Sequence, residues 1–472
     1  MSNCFTRLSI LWLCLLTCTV FGQDETRLYA GEIEVPGIGP MGMTLGVSEL
    51  DSEVYVLMTI PMQGVDSMQL SATYTADGSL TASIEQAGIV FTVRENDDFT
   101  QLLGKMEQRG LTFQIAFDQV TEAPTLLRPQ NPVEPYPYLS REITALHPDG
   151  HLLAGTLTIP NGKGPFACAI LISGSGQQDR NESLMGHQPF LVISDHLTRN
   201  GIAVLRFDDR GVGGSKMDNA NDIKNATSED FASDAMVMVR AARLHSDIDP
   251  RLIGVIGHSE GGLIGPLVAV EDGKLGFVVM LAGPGVPGFE LLPLQQALIL
   301  EATDVDQELI DNTVNASMSL YEMMMGGATE EELREQMVEV FQASFEATGF
   351  SVPEEDFEQT VDEALKDLTQ PWFQFFLFYD PAPVLAKLKC PVLAMNGTLD
   401  VQVSSKQNLP PIERAIHDAG GDITIVELEG LNHLFQPAIT GAISEYMTIE
   451  TTFDPKALAI LSDWILEITE DE

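Results

Sequence analysis

The chain has 472 residues, 44% of them hydrophobic, with 69 acidic residues against 25 Lys and Arg and a formal charge of −44. That length holds two or three domains, each able to bury its own core, and the apolar content, with 40 Gly and 26 Pro, excludes wholesale disorder and a collagen-like repeat. The charge excludes a sequence-independent grip on nucleic acid, which needs clustered Lys and Arg; its ordinary role is solubility.

At the N-terminus, Arg7 precedes an apolar run from Leu8 to Phe21. The run has the length of a signal-peptide core and is too short to span a bilayer. Val20 and Gly22 are small enough to flank a cleavage site, so residues 1–22 are expected to be removed and the remainder to be secreted or periplasmic. Cys4, Cys14 and Cys18 leave with that segment. Thr17 before Cys18 argues against a lipid anchor there. Cys168 and Cys390 remain, each in or beside an apolar run, and are expected as two buried free thiols rather than a disulfide. No later stretch approaches the roughly 18 apolar residues of a membrane span.

From Leu28 to about Val120 the pattern is one of short strands, including Val54–Ile60, Leu80–Ile84, Gly88–Val93 and Leu111–Phe117, with Asp77-Gly78 as one of the turns. Residues 23–127 therefore read as a small all-β domain that serves as a structural partner rather than a seat of chemistry. Residues 128–138 carry Pro129, Pro132, Pro135 and Pro137, which favours a stiff connector over residues 128–140. Beyond it, apolar strands (Ala167–Ile172, Ile202–Phe207, Leu252–Ile256, Phe277–Leu281, Val392–Met395, Ile423–Leu428) alternate with helical segments. That rhythm predicts an α/β domain over residues 141–472, with a mostly parallel sheet wrapped by helices. Residues 286–372 interrupt it with amphipathic helices rich in Met, Leu and Phe, as a helical cap would. This segment holds 20 acidic residues against Arg334 and Lys366, a rim that repels anionic ligands.

Gly257-His-Ser-Glu-Gly261 fits G-x-S-x-G between the strand-like run Leu252–Ile256 and the helix-like run Leu263–Val270. Small residues around the serine permit a sharp turn that lifts its hydroxyl clear of the sheet, and the turn aims the Glu260 N–H, at the helix start, toward a developing oxyanion. Pro266 is expected to kink that helix. A serine nucleophile needs a base, and in this topology the acid and then the His follow it in the chain. Only His417 and His433 follow Ser259. His417 lies in a helix-like surface stretch, whereas His433 sits in a loop after the strand Ile423–Leu428. Asp400, in Asn396-Gly-Thr-Leu-Asp400 after another strand, is the matching acid; Asp380, before a proline, reads as a turn or cap. The second oxyanion donor is expected in Ser173-Gly-Ser-Gly176, at Ser175 or Gly176, where glycines allow close approach. Asp208-Asp-Arg-Gly-Val-Gly-Gly-Ser215 reads as a tight turn braced by Arg–carboxylate pairs. The histidines lie scattered, without metal-ligand spacing, so neither metal nor cofactor is called for.

Through Gly257-His-Ser-Glu-Gly-Gly262, Phe207-Asp-Asp-Arg-Gly-Val-Gly213, Asn396-Gly-Thr-Leu-Asp400 and Asn432-His433, residues 141–470 resemble the α/β-hydrolase superfamily. Gly31-Glu-Ile-Glu-Val-Pro36, Gly174-Ser-Gly-Gln-Gln-Asp-Arg180 and Trp372-Phe-Gln-Phe-Phe376 extend the likeness to secreted bacterial serine esterases in which a β-rich domain precedes the hydrolase. In many superfamily members a His stands where this chain has Ser173. The resemblance implies a carboxylesterase acting on fairly short acyl esters, with Ser259, Asp400 and His433 as its triad. A peptidase or thioesterase on the same triad, or a binding protein on an inactive hydrolase fold, are the competing readings. Oligomeric state leaves no mark in the sequence.

Overall fold

Two hydrophobic rhythms build two units. The computed structural model describes residues 26–35, 39–50, 53–60, 65–84, 88–108, 111–122, 127–217, 223–349, 352 and 354–470; the expected signal segment lies outside them. One unit comprises the described residues up to Leu127 with Leu184–Gly186 and Thr348–Ala364, and the other comprises the rest.

In the first unit, eight strands follow one another: β1 (Arg27–Val35), β2 (Gly39–Leu50), β3 (Glu53–Ile60), β4 (Val65–Tyr74), β5 (Leu80–Ile84), β6 (Ile89–Glu95), β7 (Gln101–Gln108) and β8 (Leu111–Val120). Each pairs with the next, and β1 returns antiparallel to β8, so the sheet closes into a barrel with no free edge. Alternation decides what faces inward: Ile89, Phe91 and Val93 of β6 are buried, as are Met41, Met43, Leu45 and Val47 of β2. The absent side chain of Gly31 leaves room for the ring of Phe117, and the buried Tyr29 hydroxyl donates to Glu95 at 2.6 Å, which also takes Arg27. The barrel interior is thus a packed core.

The second unit opens with an antiparallel hairpin, β9 (Leu139–Leu146) and β10 (Leu152–Ile159). It continues through β11 (Phe166–Ile172), α1 (Pro189–Arg199), β12 (Ala203–Phe207), α2 (Ser228–Arg243), β13 (Ile248–His258), α3 (Glu260–Asp272) and β14 (Phe277–Leu281). Five helices then follow in the chain, α4 (Gly288–Glu301), α5 (Gln307–Met325), α6 (Glu330–Thr348), α7 (Glu354–Leu368) and α8 (Pro371–Phe378), of which the stretch Thr348–Ala364 belongs to the first unit, before α9 (Ala382–Leu385), β15 (Val392–Gly397), α10 (Ser405–His417), β16 (Ile423–Leu428) and α11 (Pro455–Glu470). The sheet order is β16-β15-β14-β13-β11-β12-β10-β9, parallel from β16 to β12 and antiparallel beyond. Its inner strands β11 to β15 are buried on both faces, which explains their unbroken apolar runs. Cys168, Ile170 and Ile172 of β11 join the core shared with α2, α3 and α10, while Ala169 and Leu171 join the one shared with α1 and α11. Cys168 and Cys390 are free thiols, but only Cys168 is fully buried, Cys390 being half-buried.

The proline-dense segment is not a free spacer. Gln130 donates to the Phe453 carbonyl at 2.7 Å and accepts from the Thr452 and Phe453 amides at 2.6 and 2.9 Å. Residues 139–140, expected in the connector, already belong to β9. Among the described residues, no helix is long and apolar enough to cross a membrane.

Candidate active site

The chain leaves β11 to one side to form β12 and crosses back to form β13, so the C-terminal ends of β11 and β13 lie side by side, with Ile172 opposite Gly257. A crevice opens at such a reversal. Ser259 occupies the one-residue turn between β13 and α3 at φ 54° and ψ −120°, a strained conformation for a residue with a side chain. Its N–H donates to the Leu281 carbonyl at 2.9 Å. The turn demands its glycines: a Cβ on Gly262 would lie 2.6 Å from the Gly283 Cα, and one on Gly261 would strike the Ile172 carbonyl. The helix runs on through the buried Pro266 without interruption. Glu260 heads α3, where an N–H has no acceptor within the helix.

The loop after β11 passes directly beside the serine, since a Cβ on Gly174 would sit 3.1 Å from that of Ser259. The Gly174 N–H is committed to Glu182 Oε1 at 2.9 Å, and the next amides along the loop belong to Ser175 and Gly176, the latter at φ 95°. The Ser175 side chain faces the Glu260 carboxylate and favours its charged form. Ser228 donates to that carboxylate at 2.6 Å and the Trp372 indole of α8 at 2.9 Å. Burial raises the Glu260 pKa, and these donors pull against it.

Asp400 and His433 come from the loops after β15 and β16. His433 Nδ1 donates to Asp400 Oδ2 at 2.9 Å, and Asp400 Oδ1 accepts the Gln402 and Val403 amides at 2.9 and 2.8 Å. Both side chains are buried, that of Asp400 completely. The proton on Nδ1 leaves Nε2 with its lone pair, the tautomer a general base requires. Asn432 fixes the His433 loop by accepting from the Leu434 and Gln436 amides at 3.0 and 2.9 Å. Asp380 instead accepts from the Ala382 amide at 3.0 Å, as a cap of α9. His417 ends α10 with 77% of its side chain exposed.

Several polar groups around these residues were not legible in the sequence. His258 lies against Glu182 and the His433 main chain, with its ring 4.9 Å from that of His433. Burial alone would lower the His258 pKa; the Glu182 charge and hydrogen bond, the His433 carbonyl and Asp400 outweigh it, so the net shift is upward. Asp209 accepts from the Ser173 hydroxyl and the Gln178 amide, both at 2.8 Å. Burial pushes its pKa up to about 8 against those two hydrogen bonds, with Glu182 and Asp234 adding to the rise. The glycine-rich turn is braced as its sequence implied, through Arg180 on Asp208 at 2.8 Å and Arg210 on Asp234 at 2.6 Å.

The histidines are less scattered than they read. His147, His151 and Asp234 bring possible metal-ligand atoms within 4.8 Å of one another. Their hydrogen bonds describe a brace instead. The Asp149 amide donates to His147 Nδ1 at 3.1 Å, so Nε2 carries the proton and donates to Ser233 at 2.9 Å. His151 Nε2 meets Asp234 Oδ1 at 2.7 Å, and Arg210 occupies Oδ2. Together these bonds tie the β9–β10 turn to α2.

Residues 169–438, more than half of the chain, match the Alpha/beta hydrolase family, and the chain belongs to that family. Esterase EstD of Thermotoga maritima is 25% identical over 346 residues, covering 73% of this chain and 71% of its own. Among solved structures, the alpha/beta hydrolase GrgF from Penicillium sp. sh18 aligns with a TM-score of 0.41 at 14% identity, over 70% of this chain and 98% of its own. The Pyrococcus furiosus esterase Pf2001 aligns with a TM-score of 0.40 at 13% identity, over 70% and 92%.

Proposed function

We propose that this chain is a serine carboxylesterase that hydrolyses short to medium acyl esters through an acyl-enzyme on Ser259. The observations that carry the reading are a serine held at positive φ between β13 and α3 and a buried His433–Asp400 pair in the tautomer of a base, with the His433 main-chain oxygen 3.0 Å from Nε2 of His258, the residue before the serine. The similarity to an esterase adds support. In the first half-reaction His433 Nε2 takes the Ser259 proton as Oγ attacks the ester carbonyl, then returns it to the departing alkoxide. Asp400 holds the tautomer and stabilises the imidazolium. The Glu260 N–H and that of Ser175 or Gly176 receive the oxyanion. Water repeats the sequence on the acyl-enzyme and releases the acid. This chemistry calls for no cofactor. The Met- and Phe-rich segment 286–372 would supply an apolar pocket for acyl or alcohol groups, and its acidity disfavours acyl-CoA and other anionic substrates. Arg7 and the apolar run Leu8–Phe21 support export to the periplasm or beyond.

The test is hydrolysis of p-nitrophenyl acetate, butyrate, octanoate and palmitate by the wild type and by Ser259→Ala. Turnover of the shorter esters, abolished in Ser259→Ala, is the expected result. A folded wild type that turns over none of them would defeat the esterase reading in favour of a peptidase, a thioesterase or a binding protein.

A further inference from the structure

The proposed chemistry leaves a fully buried pair of ionisable side chains unused. Glu182, in the loop between β11 and α1, is itself held at a left-handed φ of 53°, with its N–H donating to the Asp179 carbonyl at 2.9 Å. Its Oε1 accepts the Gly174 N–H at 2.9 Å and lies 2.9 Å from His258 Nδ1. His258 Nε2 lies 3.0 Å from the main-chain oxygen of His433. A carbonyl oxygen only accepts, so Nε2 carries a proton. An ionised carboxylate likewise only accepts, so against the Glu182 carboxylate Nδ1 carries one too. With both nitrogens donating, His258 is an imidazolium, and the Glu182 carboxylate is the counter-charge it touches. The upward shift of the His258 pKa agrees with that state.

We propose that Glu182 and His258 form a buried carboxylate–imidazolium bridge that positions the oxyanion loop, the nucleophile turn and the main chain of the base relative to one another. These three pieces come from the ends of three strands, β11, β13 and β16, and the bridge bonds to each: to Gly174, to the residue preceding Ser259, and to His433 itself. Glu182 Oε2 has no partner among the described residues, and the side chain lies among Phe190, Ile193, Leu281 and Leu434. Removing the Glu182 charge strands the cation with no other carboxylate in contact among the described residues. The titratable groups facing the His258 ring are Glu182 from its own loop and Asp400 and His433 from the loops after β15 and β16. Both are positioning residues: neither meets the reacting atoms, and their catalytic effect rests on the serine-esterase reading above.

The test joins a spectroscopic readout to a kinetic one on the full chain. In protein labelled with 15N-histidine, with the His258 signals assigned by their loss in His258→Asn, both His258 nitrogens are expected to stay protonated from mildly acidic to mildly alkaline pH. In Glu182→Gln the counter-charge is gone, so His258 becomes neutral, and the amide cannot at one position both accept from Gly174 and donate to the bare Nδ1. Displacement of the oxyanion loop then lowers kcat about 10- to 100-fold while KM changes little. An unprotonated His258 nitrogen in the wild type at neutral pH would overturn the proposal. So would a folded Glu182→Gln with wild-type kcat. If the wild type hydrolyses no ester, the esterase reading fails separately and the nitrogen shifts alone decide this one; they also decide it if Glu182→Gln does not fold.

Discussion

Asp400→Asn isolates the contribution of the acid. Asp400 Oδ1 is pinned by the Gln402 and Val403 amides at 2.9 and 2.8 Å, so an asparagine there must direct its carbonyl oxygen to them and its NH2 toward His433. His433 Nδ1 then becomes an acceptor and the ring proton moves to Nε2, the nitrogen that should receive the Ser259 proton. The lost attraction between a carboxylate and an imidazolium about 4 Å apart, at an effective dielectric near 20, is about 4 kcal/mol, roughly a thousandfold in rate. The inverted tautomer adds to it, for a total of about 10^4 in kcat. Initial-rate kinetics on p-nitrophenyl butyrate would measure this, with KM nearly unchanged. Asp380→Asn, at the cap of α9, serves as the control and should leave kcat within about twofold of wild type, because surface substitutions away from the site have small effects. A loss below tenfold in a folded Asp400→Asn would refute the assignment of Asp400.

Three further substitutions separate the roles of the buried carboxyls. Glu260→Ala strands the Ser228 and Trp372 donors at roughly 1–3 kcal/mol each, so urea unfolding should show a loss of several kcal/mol. Glu260→Gln keeps acceptors for Ser228 and Trp372 and should cost much less. The Asp209 pKa is raised to about 8 from an ordinary 3.8, so between those values the folded state keeps a proton the unfolded state has released. Its contribution to stability therefore falls as pH rises through that window, by up to about 1.4 kcal/mol per pH unit. Thermal unfolding across mildly acidic to mildly alkaline pH should show Asp209→Asn gaining on the wild type as pH rises, and a constant gap would refute the buried-proton account.

What the sequence displays is what sterics and burial write locally. The serine turn is legible because only small residues fit beside it: Gly261 faces the Ile172 carbonyl and Gly262 the Gly283 Cα. The inner strands are legible because both of their faces are buried. The hairpin β9–β10 escapes a pattern reading because most of β9 is exposed, with no apolar alternation to announce it. The polar partners are invisible for another reason. Glu182 meets His258 across 76 residues and Trp372 meets Glu260 across 112, so nothing local marks either pair. His147 and His151 flank a turn, and the carboxylate that gathers them lies more than 80 residues away. The flanking proline marks Asp380 as a turn or cap in the sequence, and in the structure Asp380 caps a helix start while Asp400 contacts His433.

The central claim is that Ser259 is the nucleophile. The most direct measurement treats the folded protein with a fluorophosphonate and maps the adduct by peptide mass spectrometry while following p-nitrophenyl butyrate turnover. The account predicts one phosphonyl group, on Ser259, appearing in step with the loss of turnover and forming far more slowly in Asp400→Asn. Loss of turnover with the adduct on another residue, or full turnover with Ser259 completely modified, would contradict it.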